Sequence, residues 1–311
     1  CSLDDVEDAR SVAYRLGMPY YVFNLKDKFA ECVIDRFVSA YEHGITPNPC
    51  IDCNRYLKFD KLFERADVMG CRYIATGHYA RVERDGERYV LKKALDETKD
   101  QSYVLYDLTQ ETLARVKFPL GGLRKTEARE IAAEAGLINA RKHDSQDICF
   151  VPDGDYAKVI ETRTGKTPEP GPFLDLNDHV VGTHRGIIHY TVGQRRGLRM
   201  PSDGKLYVVK ILPEQNAVVV GPNEALFTRA CLVSNMRWIS GEAPALPFRC
   251  SAKTRYRQPE QPCTVYPAGE GGVRLVFDEP LRAITPGQSA VLYDGDTVLG
   301  GGIIAREETA C

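Results

Sequence analysis

No apolar run in this 311-residue chain approaches the roughly 18 residues that a helical membrane span needs, so the protein is expected to be soluble, with no membrane partner. The net charge is only −2, too small to draw the whole molecule toward nucleic acid, and any such binding must come from local basic patches. There is no internal repeat, no low-complexity tract and no secretory signal. Without that signal the 10 irregularly spaced cysteines argue against a disulfide framework and for free thiols in a reducing cytoplasm. What the chain does have is length enough for two or three domains. It enters a helical pattern at once, with Val6, Ala9, Val12, Ala13 and Leu16 on one face and Gly17 at the stop, from which a further stretch ahead of Cys1 is expected.

The periodicity predicts a helix over 3–16, a strand over 20–24, a helix over 27–43, a loop over 44–52, a helix over 53–69 and a strand over 72–76. That alternation reads as βα units around a parallel sheet. Arg84-Asp85-Gly86-Glu87 turns a hairpin, and helical patterns follow around 100–116 and over 125–135, the latter closed by Gly136. The Gly- and Pro-rich segment 164–172 breaks regular structure and is placed as a linker or loop. Beyond it, short strands with turn signals predict a small β-rich module over 173–221 and a β-barrel over 225–311.

The most informative residues are the cysteines of Thr46-Pro47-Asn48-Pro49-Cys50-Ile51-Asp52-Cys53-Asn54 and of Asp144-Ser145-Gln146-Asp147-Ile148-Cys149-Phe150. Cys53 follows a Pro-rich loop and opens an amphipathic run, which puts it near a helix N-terminus, where the dipole lowers a thiol's pKa and favours the nucleophilic thiolate. A Cys-x-x-Cys is also read as a redox pair, half a metal site or a coincidence. Zinc is the weaker metal reading, because Cys71 and Cys149 have no second close Cys or His pair beside them. Cys50, Cys53 and Cys149 could hold an iron-sulfur cluster with one open iron, or divide into a nucleophile, a persulfide carrier and a bystander. On local pattern a buried structural cysteine accounts for Cys149 equally well. Cys32, Cys71, Cys231, Cys250 and Cys263 read as packing residues, and Cys1 and Cys311 as exposed ends.

Ile74-Ala75-Thr76-Gly77-His78-Tyr79 is a strand running into Gly77 and His78 at its carboxyl end, the edge where open α/β sheets bind ligands; it is equally an ordinary strand exit. Lys99-Asp100-Gln101-Ser102-Tyr103 offers hydrogen-bonding and stacking groups for a base, or a polar helix start. Between Val180 and Ser202 there is no acidic residue, while Arg185, Arg195, Arg196 and Arg199 accumulate beside His184, His189 and Tyr190. A second basic stretch, Lys253-Thr254-Arg255-Tyr256-Arg257-Gln258, puts Lys253, Arg255 and Arg257 on one face of a predicted strand. Two such stretches favour an RNA backbone over a solvated surface. The run Thr285-Pro286-Gly287-Gln288-Ser289 to Gly300-Gly301-Gly302 reads as barrel turns and close packing, with Gln288 a donor for a nucleotide.

Together Thr-Pro-Asn-Pro-Cys-x-x-Cys-Asn, Ala-Thr-Gly-His-Tyr, Lys-Asp-Gln-Ser-Tyr, Asp-Ser-x-x-Ile-Cys-Phe, Tyr-Thr-x-Gly-Gln-Arg, Lys-x-Arg-Tyr-Arg and Thr-Pro-Gly-Gln-Ser closely resemble the bacterial tRNA-specific 2-thiouridylase family. The resemblance implies an adenine-nucleotide α-hydrolase-like (PP-loop) α/β domain over 1–155, a small β-rich central domain over 156–222 and a C-terminal β-barrel over 223–311. It implies ATP- and Mg2+-dependent adenylation of the C2 oxygen of the wobble uridine, followed by sulfur delivery from a persulfide. Cys149 matches the persulfide-bearing cysteine and Cys53 the catalytic nucleophile, with a Cys53–Cys149 disulfide formed as sulfur is released. Asn48, Pro49 and Cys50 match the segment that contacts the target base. Gly77 matches an ATP contact, and His78, Lys99, Asp100, Gln101, Arg255, Tyr256 and Gln288 match contacts to the tRNA anticodon arm. A cysteine desulfurase or sulfur relay protein is the implied sulfur donor. Many family members carry Asp where this chain has Cys50, which keeps a [4Fe-4S] form with Cys50, Cys53 and Cys149 as ligands as an alternative. The family's Ser-Gly-Gly-x-Asp-Ser phosphate loop does not occur, and residue 1 falls where its second helix begins. A fragment is the favoured explanation, and a tRNA-binding remnant without catalysis is the other.

Overall fold

The computed structural model describes residues 3–142, 148–200 and 204–306. Helix α1 (Leu3–Arg15) has Asp4 and Asp5 in its first turn and Arg15 in its last, charges that complement the helix dipole. Residues 18–25 form no strand: their apolar side chains suit one, but a strand exists only where a neighbour completes the backbone ladder, and none does among the described residues. Helix α2 (Lys26–Phe29), a π-helical stretch (Ala30–Ile34) and α3 (Asp35–Glu42) run on as one rod, as do α4 (Pro49–Asp52), a second π-helical stretch (Cys53–Lys61) and α5 (Leu62–Val68).

The second rod starts four residues earlier than the sequence pattern indicates. Asn48 accepts a hydrogen bond from the Cys50 backbone N–H and Pro49 takes the first helical position, where its missing N–H costs nothing. Next come strands β1 (Ile74–Ala75), β2 (Ala80–Asp85) and β3 (Arg88–Lys93). The helix expected around 100–116 is broken into short 3-10 turns and α6 (Gln110–Arg115), which Thr109 caps. Asp96 accepts from the Thr98 and Lys125 backbone N–H groups, and Asp100 from those of Ala94 and Ser102, side-chain bonds that hold residues 94–102 in turns. Strand β4 (Val116–Lys117) pairs parallel with β1, and these two make up the parallel sheet of the described residues. Helices α7 (Lys125–Glu134) and α8 (Tyr156–Thr164) follow, α8 ending on Gly165 in the left-handed conformation.

The chain then becomes β-rich. Strands β5 (Gly171–Leu174), β6 (Val180–His184), β7 (Tyr207–Leu212) and β8 (Ala217–Gly221) form a four-stranded sheet in the order β6-β5-β8-β7, around the fully buried Phe173. Strands β9 (Phe227–Trp238), β10 (Phe248–Lys253), β11 (Gln261–Pro267), β12 (Val273–Arg282), β13 (Ser289–Asp294) and β14 (Thr297–Ile304) pair in a ring that β13 and β14 close, which removes exposed edges and encloses Cys263, Val265, Leu275, Phe277 and Leu292. One strand of this barrel reaches outside the ring: β14 also pairs with β3, joining the β2–β3 hairpin to the barrel. Arg81 reinforces the joint through Asp296 at 2.7 Å and Lys93 through the Gly295 carbonyl at 2.7 Å. The architecture is thus α/β followed by two β-rich units. No helix of the described residues is long and apolar enough to cross a membrane.

Two side-chain expectations change. Strand β10 ends at Lys253 and residues 254–258 turn, closed by Thr254 donating to Gln258 Oε1 at 2.8 Å, so Lys253, Arg255 and Arg257 do not share a strand face. Cys32, Cys231 and Cys263 are buried and Cys250 half-buried, but Cys71 is exposed at the end of the second rod instead of packed. Cys1 and Cys311 lie outside the described residues.

Candidate functional site

The cap at Asn48 sets the position of both cysteines that follow it. Asn48 Oδ1 accepts from Cys50 N at 3.1 Å, which fixes Cys50 in the first helical turn with an exposed surface and a buried Pro49 before it. Cys53 lies a full turn further in, half-buried beside Cys32, Val33 and Leu57. Phe150 packs into the same cluster, edge-on to Phe29 at 5.7 Å and to Phe37 at 5.2 Å. Val151 N donates to Ile148 O at 2.8 Å, and the turn so closed leaves Cys149 exposed. A half-buried aromatic therefore anchors an exposed thiol, and Cys149 lies within electrostatic range of both Cys50 and Cys53.

The electrostatics run against the helix-dipole expectation. Burial pushes the Cys53 thiol above its ordinary pKa, Lys58 opposes the rise, and Cys149, Cys50 and Asp52 add to it. Cys53 sits inside the rod instead of at its tip, so it loses more from desolvation than it gains from the N-terminal dipole. Cys50 moves in the same direction, with burial again the first cause and Lys58 again opposing it. Among the described residues no three His, Cys, Asp or Glu side chains lie together so as to hold a metal ion.

The other expected contacts fall into two groups. Gly77 is exposed at the carboxyl end of β1, and a Cβ there would meet only Leu120, at 3.7 Å. That space admits a ligand, but the described residues supply no phosphate-holding loop beside it. Lys99 is half-buried in a 3-10 turn, and Tyr256 keeps 37% of its surface while its hydroxyl donates to Asp100 O at 3.2 Å. The remaining polar groups face inward. His78 is 6% exposed, and Gln101 accepts from Tyr79 N at 2.9 Å. Asp100 accepts from Ala94 N at 3.0 Å and from the Ser102 hydroxyl at 2.7 Å. Arg255 donates to Val192 O at 2.9 Å and to Thr285, and Gln288 donates to Thr46 O at 2.9 Å and to Pro47 O at 3.3 Å.

Sequence-family models match successive parts of the chain: the tRNA methyl transferase HUP domain over 1–153, the tRNA methyl transferase PRC-barrel domain over 158–222 and the aminomethyltransferase beta-barrel domain over 228–304. The tRNA-specific 2-thiouridylase MnmA of Symbiobacterium thermophilum is 50% identical over 309 residues, which is 98% of this chain and 79% of that protein. The Acetivibrio thermocellus MnmA is 50% identical over 306 residues and the Clostridioides difficile MnmA 46% over 308, each covering 98% of this chain and 85% of the relative. The chain belongs to the tRNA-specific 2-thiouridylase family.

In this family member the residue that sequence reasoning missed is Lys58. Its Nζ lies 3.5 Å from His78 Nε2, and it is the cation that opposes the rise of both Cys50 and Cys53. Five residues separate it from Cys53, a spacing that puts two side chains about 140° apart on an α-helix. Over Cys53–Lys61 the backbone bonds run i to i+5, so residues five apart become neighbours. An ammonium can only donate, so His78 Nε2 accepts and the Nδ1–H donates to Thr76 Oγ1 at 2.8 Å.

Burial, with Lys58 adding, lowers the His78 pKa from 6.5 to about 4, so the ring is neutral at physiological pH. Between those values the unfolded chain takes up a proton that the fold refuses. Stability should therefore fall as pH drops from about 6.5 toward 4, by about 3 kcal/mol, and lose nothing more on this account below 4. Urea denaturation midpoints across that range should show the slope, and His78→Gln should flatten it.

Proposed function

We propose that this protein transfers sulfur to C2 of the wobble uridine of tRNA, with Mg2+-bound ATP adenylating the C2 oxygen and pyrophosphate leaving. The observation that carries the reading is that Cys149 lies within electrostatic range of Cys53 and of the Asn48-Pro49-Cys50 turn, in a chain of this family. Cys149, exposed on its anchored turn, accepts sulfur as a persulfide from a cysteine desulfurase or sulfur relay protein. The Cys53 thiolate attacks the Cys149 sulfur, the S–S bond of the persulfide breaks, a Cys53–Cys149 disulfide forms and hydrosulfide leaves with the bonding pair. Hydrosulfide attacks C2, AMP departs with the former C2 oxygen, and an external thiol reductant returns the disulfide to two thiols. Exposed Cys50 and half-buried Asn48 meet the target base at this turn.

For the anticodon arm, Lys99 and Tyr256 keep surface to meet RNA, and exposed Arg195 and Arg196 extend the basic side of the central unit. His78, beside Lys58, and Asp100, whose carbonyl accepts from Tyr256, act from beneath, while Gln101 and Arg255 hold the backbone around them. The experiment is nucleoside mass spectrometry of tRNA incubated with the full-length protein, ATP and a persulfide donor. Formation of 2-thiouridine that requires ATP supports the proposal; tRNA binding without product would reduce the protein to an RNA-binding remnant.

A further inference from the structure

The turn Thr285-Pro286-Gly287-Gln288 of the barrel grips the chain just ahead of the cysteine turn, with Gln288 lying 242 residues in sequence from Thr46. Both backbone polar groups of Thr46 are taken: its N–H donates to Pro286 O at 3.0 Å, and its carbonyl accepts from Gln288 Nε2 at 2.9 Å. The same amide reaches Pro47 O at 3.3 Å. Gly287 makes this approach feasible. At φ +89° a Cβ there would lie 2.0 Å from the Ile45 Cγ2 atom and 3.1 Å from the Thr46 backbone.

The grip itself is tied down. Gly287 N donates to Ile304 O at 2.9 Å and Ile304 N to Gln288 O at 2.8 Å, which pins the turn to β14. Arg255, half-buried, donates to Thr285 and to Val192 O, linking the turn to the central unit. From Pro47 the chain passes directly to Asn48, whose side chain caps the helix that carries Cys50 and Cys53.

We infer that Gln288 is a positioning residue for sulfur transfer: by bonding the Thr46 and Pro47 carbonyls it fixes the start of the cysteine helix and so the approach of Cys53 to Cys149. Its amide N–H groups are occupied by the protein's own backbone, not offered to RNA. The inference rests on the sulfur-transfer reading, and it makes the barrel part of the catalytic frame. tRNA bound against the barrel would act on the cysteine turn through this contact.

Gln288→Ala in the full-length protein separates positioning from RNA contact. The expected result is a fall of about a hundredfold in single-turnover 2-thiouridine formation at saturating tRNA, since small misplacements of reacting groups have effects of that size. tRNA affinity should change by less than about twofold. Weakened tRNA binding with an unchanged saturated rate would overturn the inference and return Gln288 to an RNA contact. Backbone hydrogen exchange over 45–50 reads the clamp without any catalysis: it should rise in the variant, and unchanged exchange would also overturn the inference. If the wild type makes no 2-thiouridine, the sulfur-transfer reading fails while the exchange result still stands or falls alone. Should Gln288→Ala not fold, Gln288→Glu carries the same three measurements, because it keeps the shape and places a carboxylate against the two carbonyls.

Discussion

Replacing Cys53 with serine should lower 2-thiouridine formation by at least about a thousandfold, and Cys149→Ser should do the same, because each supplies one sulfur of the disulfide on which release of hydrosulfide depends. Activity alone would not tell the two apart; the trapped species would. With Cys53 gone, the donor can still load Cys149, so the peptide carrying Cys149 should accumulate one additional sulfur. With Cys149 gone, that species has no place to form, and Cys53 should stay a free thiol. The exposure pattern supports this order, since Cys149 is exposed and open to a donor while Cys53 is half-buried. A persulfide found on Cys53 in wild-type protein would reverse the two roles. Cys50→Ser is the contrasting variant: exposed beside the cap and holding no bond of the proposed disulfide, it should retain loading of Cys149 and show its effect on the target base.

The cysteines were legible in the sequence because their chemistry travels with residue type, and the order of α/β and β-rich regions because periodicity does. What was illegible depends on contacts distant in sequence or on local geometry that spacing does not encode. The segment 20–24 has strand-like residues and no partner among the described residues, and Asp100 accepts from the backbone N–H groups of Ala94 and Ser102, which ties the segment into a turn. Gln288 read as a donor to nucleic acid because the Thr46 carbonyl it bonds lies 242 residues away. Arg255 read as a surface cation because nothing in Lys-Thr-Arg-Tyr-Arg signals that the strand ends at Lys253 and the next arginine turns into the structure. The motif singled out Cys53, but the residue sits inside the rod instead of at a helix tip, and burial there raises its pKa instead of lowering it.

The reversal gives Lys58 its importance. A thiol that must attack a persulfide gains from being thiolate, yet burial at Cys53 favours the neutral form; Lys58 is the nearby charge that opposes this. Lys58→Met should therefore raise the Cys53 thiol further and shrink its thiolate fraction at every pH below that value. Iodoacetamide alkylation, followed on the peptide that holds Cys53, should slow by about tenfold at pH 8 and converge with the wild type only in strong alkali, where both thiols are ionised. Lys58→Arg keeps the charge and should hold the wild-type profile. A uniform slowing across all pH values would point to altered access instead of charge and would refute this role. The π-helical turn connects the two residues: it brings position 58 onto the face of position 53, and neutral His78 steadies the ammonium from the far side. A straight α-helix with the same sequence would carry the lysine and the cysteine on different faces, and the thiol would meet burial without a nearby counter-charge on its own helix.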